Sequence, residues 1–183
     1  MCRSAQLLCL AFLFTGVLTT TAAAQINPEA GAVAGGGDIG ILFPDEAFEK
    51  TVTFDGFGEY YIKPNVSFRF LLGYASPGFE NFTEDHFRQV KMLFNGMYYF
   101  KYNNWLPFVT GGAGVYFLRE LFDAAPDPDS ETRGGINFGF GTEYAVGTGA
   151  SVRGEFRWDV VSHPTGFSDA SNMSLAFGYK RHF

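Results

Sequence analysis

The chain has 183 residues, a net charge of −6, and a composition rich in aromatics and glycine, with 22 Phe and 23 Gly. That length suits one domain, and the acidic balance excludes the basic footprint of a nucleic-acid binder. After residue 24 no apolar run reaches the ~18–20 residues that a spanning helix needs. A chain that is 18% aromatic must therefore bury those rings, or show them to lipid, by another geometry.

Met1–Ala24 reads as a secretory signal peptide. Arg3 supplies a positive start, Leu7–Leu18 is apolar except for Thr15 and Gly16, and Thr21-Ala22-Ala23-Ala24 offers small residues for cleavage before Gln25. Both cysteines, Cys2 and Cys9, fall inside it. The exported chain, residues 25–183, is then expected to carry a charge of −7, with no disulfide and no thiolate metal site. Gln25–Gly31 reads as an exposed lead-in.

Eight alternating segments follow. In the first, about Ala32–Leu42, Ile39 and Ile41 oppose Gly36, Asp38 and Gly40. In Thr51–Ile62, Phe54, Tyr60 and Ile62 oppose Asp55 and Glu59. In Val66–Ala75, Val66, Phe68, Phe70, Leu72 and Tyr74 oppose Ser67, Arg69, Leu71 and Gly73. Phe87–Lys101 sets Val90, Met92, Phe94, Tyr98 and Phe100 against Gln89, Lys91, Asn95 and Tyr99. The Gly-rich Leu106–Leu118 has the weakest alternation; Val109, Ala113, Val115 and Phe117 are assigned to its apolar face. Gly134–Ala145 opposes Ile136, Phe138, Phe140 and Tyr144 to Asn137, Gly139, Gly141 and Glu143. Ala170–Phe183 opposes Met173, Leu175, Phe177 and Tyr179 to Ser174, Ala176, Gly178 and Lys180.

The seventh segment is the most regular. Val152–Val160 puts Val152, Gly154, Phe156, Trp158 and Val160 on one face and Arg153, Glu155, Arg157 and Asp159 on the other. A strand sends successive side chains to opposite faces. The connections alternate between long loops (43–50, 76–86, 119–133, 161–169) and tight turns at Lys63-Pro64-Asn65, Tyr102–Trp105 and Val146–Gly149. Eight strands of about ten residues, with long and short connections in strict alternation, are the pattern of a transmembrane β-barrel.

A soluble, lipocalin-like barrel would reverse the faces. Three features oppose it. The polar face is small rather than charged (Gly36, Gly40, Gly73, Gly139, Gly141, Ala176, Gly178), as a narrow interior requires. Tyr60, Tyr61, Tyr98, Tyr99, Tyr102, Trp105, Tyr144 and Tyr179 gather near the tight turns, as an interfacial girdle would. The chain also ends in a strand, at Phe183. Turning the seventh strand over would place Arg153 and Arg157 in lipid at roughly 2–4 kcal/mol each, on the order of a domain's whole stability once both carboxylates are added.

The arrangement resembles the small outer-membrane β-barrel family of the OmpA/OmpX type, across the whole of residues 25–183. The residues that carry the resemblance are the alternating strands, N-G-M-Y-Y-F at Asn95–Phe100, G-G-A-G-V-Y-F at Gly111–Phe117 and the terminal Phe183. It implies an all-β, eight-stranded antiparallel up-and-down barrel in a Gram-negative outer membrane. It also implies recognition of the last strand by the barrel-assembly machinery. Arg181 stands where the family carries an apolar or aromatic residue, and no peptidoglycan-binding domain is expected after the barrel.

Candidate site residues are of two kinds. Asp38, Asp55, Glu59, Arg69, Lys91, Glu143, Arg153, Glu155, Arg157, Asp159 and Lys180 form an expected interior charge network, six acids with five bases. Near balance favours a paired, hydrogen-bonded filling over a one-sign ion path. Tyr60, Tyr98, Trp105, Tyr144, Tyr179 and Phe183 form the expected girdle. No catalytic residue is expected: Ser171-Asn172 resembles part of a lipid A deacylase site, but Asp169 stands where its His would be, and a Ser nucleophile needs a base in reach. No cofactor or metal is expected either, since Asp123, Asp127, Asp129 and Glu131 lack the glycine and spacing of a calcium loop. The reading is a monomeric outer-membrane barrel, set among lipid and lipopolysaccharide, with a structural or surface-interaction role. The alternative is a narrow passive channel for small solutes or ions.

Overall fold

A computed structural model describes residue 26 and residues 28–44, 50–76, 78–79, 82–121, 130–162 and 171–183. Residues 1–24, read from sequence as a signal peptide, lie outside them. The described residues form eight long strands: β1 (Val33–Pro44), β2 (Thr51–Lys63), β3 (Val66–Ala75), β4 (Phe82–Tyr99), β5 (Trp105–Leu121), β6 (Ser130–Gly147), β7 (Ala150–Val161) and β8 (Asn172–His182). Each pairs antiparallel with the next, and β1 pairs with β8 through Asp38 opposite Gly178, so the sheet closes on itself. A two-residue strand, Gly78–Phe79, adds a short rung beside β4. Closure leaves no unpaired long edge, which is what an antiparallel sheet needs in a medium without water.

Alternation decides the two faces. Ile39, Phe54, Phe68, Phe94, Val109, Phe140, Trp158 and Phe177 are exposed on the outside, while their sequence neighbours face inward and are buried or half-buried. The Gly-rich strand β5 has the expected phase, with Val109, Ala113, Val115 and Phe117 outward. The strand ends at Pro64-Asn65 and Thr148-Gly149 close in two-residue turns, and Asn103 and Gly149 take the positive φ values of 55° and 71° that such turns use.

Two expectations need correction. The strands β4, β5 and β6 run 18, 17 and 18 residues, longer than the expected Phe87–Lys101, Leu106–Leu118 and Gly134–Ala145. Parts of the expected loops 76–86 and 119–133 are therefore paired sheet, with His86 opposite Leu121 and Arg119 opposite Ser130. Beyond the apolar band nothing demands alternation, so that extension carries no two-residue pattern. The lead-in is not wholly exposed either. Ile26 and Pro28 are buried, and Ile26 packs with Tyr61, Met97, Tyr99, Leu106 and Phe108 at the tight-turn end of the lumen.

Inward glycines make room for inward bulk. A Cβ at Gly73 would sit 2.4 Å from Asp55 Oδ1 and 2.5 Å from Lys91 Cε. Outward Gly56 would meet nothing within 4 Å. Gly73→Leu should therefore lose at least about 1–3 kcal/mol by overpacking, whereas Gly56→Leu should fold as the parent does. Heat-modifiable gel mobility and urea unfolding of the refolded barrels check this; equal behaviour of the two variants would contradict it.

Candidate functional site

The lumen is built from alternate residues of all eight strands. Its tight-turn end is apolar and aromatic, with Ile26, Ala34, Tyr61, Met97, Tyr99, Leu106, Phe108 and Ala145 in one cluster. A second apolar cluster, Phe57, Leu71, Leu93, Tyr116, Leu118 and Val161, lies toward the long-loop end. The charged residues come from every strand except β5, and all eleven are 7% exposed or less.

These eleven side chains form one connected network. Glu155 sits at its centre. It accepts from Arg69 Nη1 at 2.7 Å and from Arg157 Nη1 at 3.3 Å, and Arg153 Nη2 bonds it as well. From Arg69 the chain of pairs runs to Glu59 at 3.2 Å. From Arg153 it runs to Asp38 at 3.3 Å. From Arg157 it runs to Asp55, which also lies 3.9 Å from Lys91. Lys91 in turn reaches Asp159 at 3.3 Å. Lys180 closes the other end between Glu143 at 2.8 Å and Glu59 at 3.3 Å. Taking a charge out of water costs several kcal/mol, and only paired, hydrogen-bonded geometry offsets that cost.

Neutral groups add hydrogen bonds to the network, and most were not singled out from sequence. Tyr99 Oη donates to Glu59 at 2.6 Å and Ser67 Oγ donates to the same carboxylate at 2.6 Å. Lys180 Nζ donates to Tyr61 Oη at 2.8 Å and Tyr99 Oη at 3.0 Å. Phe57 lies under two guanidinium groups, 4.7 Å from Arg69 and 4.6 Å from Arg153, and Phe108 is 5.6 and 5.2 Å from the same pair. A guanidinium over a ring face is attracted by the ring quadrupole. Asn95 and Asn137 exchange amide hydrogen bonds at 2.8 and 3.2 Å. The signal for Phe57 and Tyr61 was position alone, since both share the phase of Asp55 and Glu59 on β2; Phe108 shares the inward phase of Leu106 and Thr110 on a strand that gives the network no charge.

The six expected girdle residues, Tyr60, Tyr98, Trp105, Tyr144, Tyr179 and Phe183, are all on the outer face and exposed. Trp105 meets Tyr144 in a tilted contact with ring centroids 4.8 Å apart, and Tyr98 meets Phe100 edge-on at 5.0 Å. Tyr61 and Tyr99 do not belong with them; they point inward and bond Lys180. Arg181 is exposed and donates to the Thr148 carbonyl at 3.2 Å. Glu131 is in β6 rather than in a loop, and it pairs with Arg133 at the mouth. Asp123, Asp127, Asp129 and Asp169 lie outside the described residues. Among the described residues no group of three His, Cys, Asp or Glu is placed to hold a metal.

A closed barrel with lipid-like aromatics outside and paired charges inside meets its match among known families. The profile of the outer membrane protein β-barrel domain covers residues 10–183. The chain belongs to this family. It is accordingly an outer-membrane β-barrel protein. A comparison with curated protein sequences gives no match. Solved structures of similar fold include Neisserial surface protein A, at a TM-score of 0.67 and 13% identity over 85% of this chain and 98% of that one. OprG of Pseudomonas aeruginosa is similar at a TM-score of 0.59 and 13% identity, covering 87% and 99%. Ail, the attachment invasion locus protein of Yersinia pestis, is similar at 0.56 and 11%, covering 85% and 100%. At such identities the likeness is one of fold.

Removing one member of a buried ion network strands its partners. Glu155→Gln should cost roughly 3–5 kcal/mol, because three arginines lose a shared carboxylate. Glu131→Gln, at the part-exposed mouth, should cost no more than about 1 kcal/mol. Denaturant unfolding of the barrel refolded in lipid vesicles checks both; a loss at Glu155 no larger than at Glu131 would contradict the network's role.

Proposed function

We propose that this outer-membrane barrel is a closed structural element whose lumen does not conduct, and whose loop end serves contact at the cell surface. The observation that carries the reading is the accessibility of the eleven lumen charges, none above 7%. A continuous water column would leave such side chains accessible to water along its length. Instead they contact one another, the phenyl rings of Phe57 and Phe108, and the apolar cluster around Ile26.

The barrel acts as a monomer among outer-membrane lipid and lipopolysaccharide. Full closure of the sheet supports this, since no long edge is left for a partner strand. Export behind residues 1–24 and insertion by the barrel-assembly machinery complete the route. The outward alternation of Met173, Leu175, Phe177 and Tyr179 in β8, followed by Phe183, is the feature such machinery would read.

Planar-bilayer recording separates the closed barrel from the narrow passive channel. The refolded protein should add no steady unitary openings at moderate voltage and high salt. Reproducible openings of one size would replace this reading with the channel.

A further inference from the structure

The outward wall carries a feature that neither lumen closure nor lipid solvation explains. Along β4 the outward residues from Tyr98 up to Val90 are uncharged, and the next outward position is Arg88. Along β5 they are uncharged from Trp105 up to Phe117, and the next is Arg119. Arg88 and Arg119 stand directly opposite each other in the register, and both are exposed. Directly opposed residues hold their Cβ atoms about 4.5–5.5 Å apart, and like charges so placed destabilise a sheet. Among the described residues neither guanidinium has a carboxylate partner. The row continues to Ser130, and the row beneath it is Val90, Phe117 and Thr132, so neither row carries an acid.

Two arginines at one level, without a carboxylate partner among the described residues, stand at the top edge of the apolar band on the long-loop side and form a fork for an anion. The long-loop end of an outer-membrane barrel faces the outer leaflet, so the anion at that depth is a phosphate on a lipid headgroup. Arginine is suited to it because its planar donors bind phosphate oxygens bidentately. We infer that Arg88 and Arg119 together bind one phosphate of a lipid A headgroup, with the hydroxyls of Ser130 and Thr132 beside them. The site rests on the barrel's outer-membrane placement and not on the state of its lumen. A conducting barrel would leave it standing.

The test uses the full chain after export, refolded in neutral detergent, with lipid retention read by native mass spectrometry. The probes are lipid A bearing both phosphates, the same lipid A dephosphorylated, and phosphatidylglycerol. Phosphorylated lipid A should bind at least about tenfold more tightly than the dephosphorylated form, since charge-assisted hydrogen bonds are lost with the phosphate. R88Q and R119Q should each weaken it about tenfold, and the double variant should lose little more than either single one, because the two arginines share one anion. R88K and R119K keep the charge but lose the fork, so they should also bind weakly. Without anionic lipid, R119Q should resist denaturant better than the parent, because the opposed charges are gone.

Three results would overturn the assignment. Equal retention of dephosphorylated lipid A would remove the phosphate. Equal retention of phosphatidylglycerol would remove lipid A as its source. Additive losses, roughly a hundredfold in the double variant, would mean two arginines serving separate lipids.

Discussion

A charged side chain facing hydrocarbon at mid-depth costs roughly 2–4 kcal/mol, and that cost sets the orientation of every strand. The strand β7 shows it most directly, because Arg153, Glu155, Arg157 and Asp159 all lie on one face. A slip of one residue would send all four to lipid and bring Val152, Phe156, Trp158 and Val160 inward. The registers to β6 and β8 are therefore tightly specified, and through them those of the rest of the ring. Closure of β1 onto β8 is a consequence of the same alternation carried around eight strands.

Once inside, the charges pose the opposite problem. Buried ions are tolerated only in company, and here the company is arranged around Glu155, which serves Arg69, Arg153 and Arg157 at once. Phe57 and Phe108 contribute ring faces rather than hydrogen bonds, so they fill space beside the guanidinium groups without competing for their donors. Space is the limiting quantity. Gly73 leaves room for the Asp55–Lys91 pair, and Gly178 leaves room for Asp38, whose Oδ1 would lie 2.0 Å from a Cβ there. The many glycines are thus the complement of the large inward side chains.

Most of the barrel was legible in the sequence because lipid and lumen impose a two-residue period. Even the glycine-rich β5 kept its phase through Val109, Ala113, Val115 and Phe117. Where that pressure stops, the pattern stops, so the extension of β4 to Phe82 and of β5 to Leu121 was not legible. The lumen was readable by charge but not by shape. Tyr61 and Tyr99 fall near the tight turns as girdle residues do, and only the packing shows that they close on Lys180. Ile26 left no signal because one apolar residue before the first strand has no period to belong to, and only contact with Phe108 and Tyr99 gives it a role.

A closed charge layer and an open lumen differ most directly in how fast water reaches the guanidinium protons. Hydrogen exchange at arginine Nε–H, followed by NMR on the barrel refolded in lipid nanodiscs, reads this group by group. Exposed Arg88, Arg119 and Arg181 serve as internal references. The network predicts that Arg69, Arg153 and Arg157 exchange far more slowly than those three. Exchange at the same rate in both sets would mean that water fills the lumen, and would contradict the account.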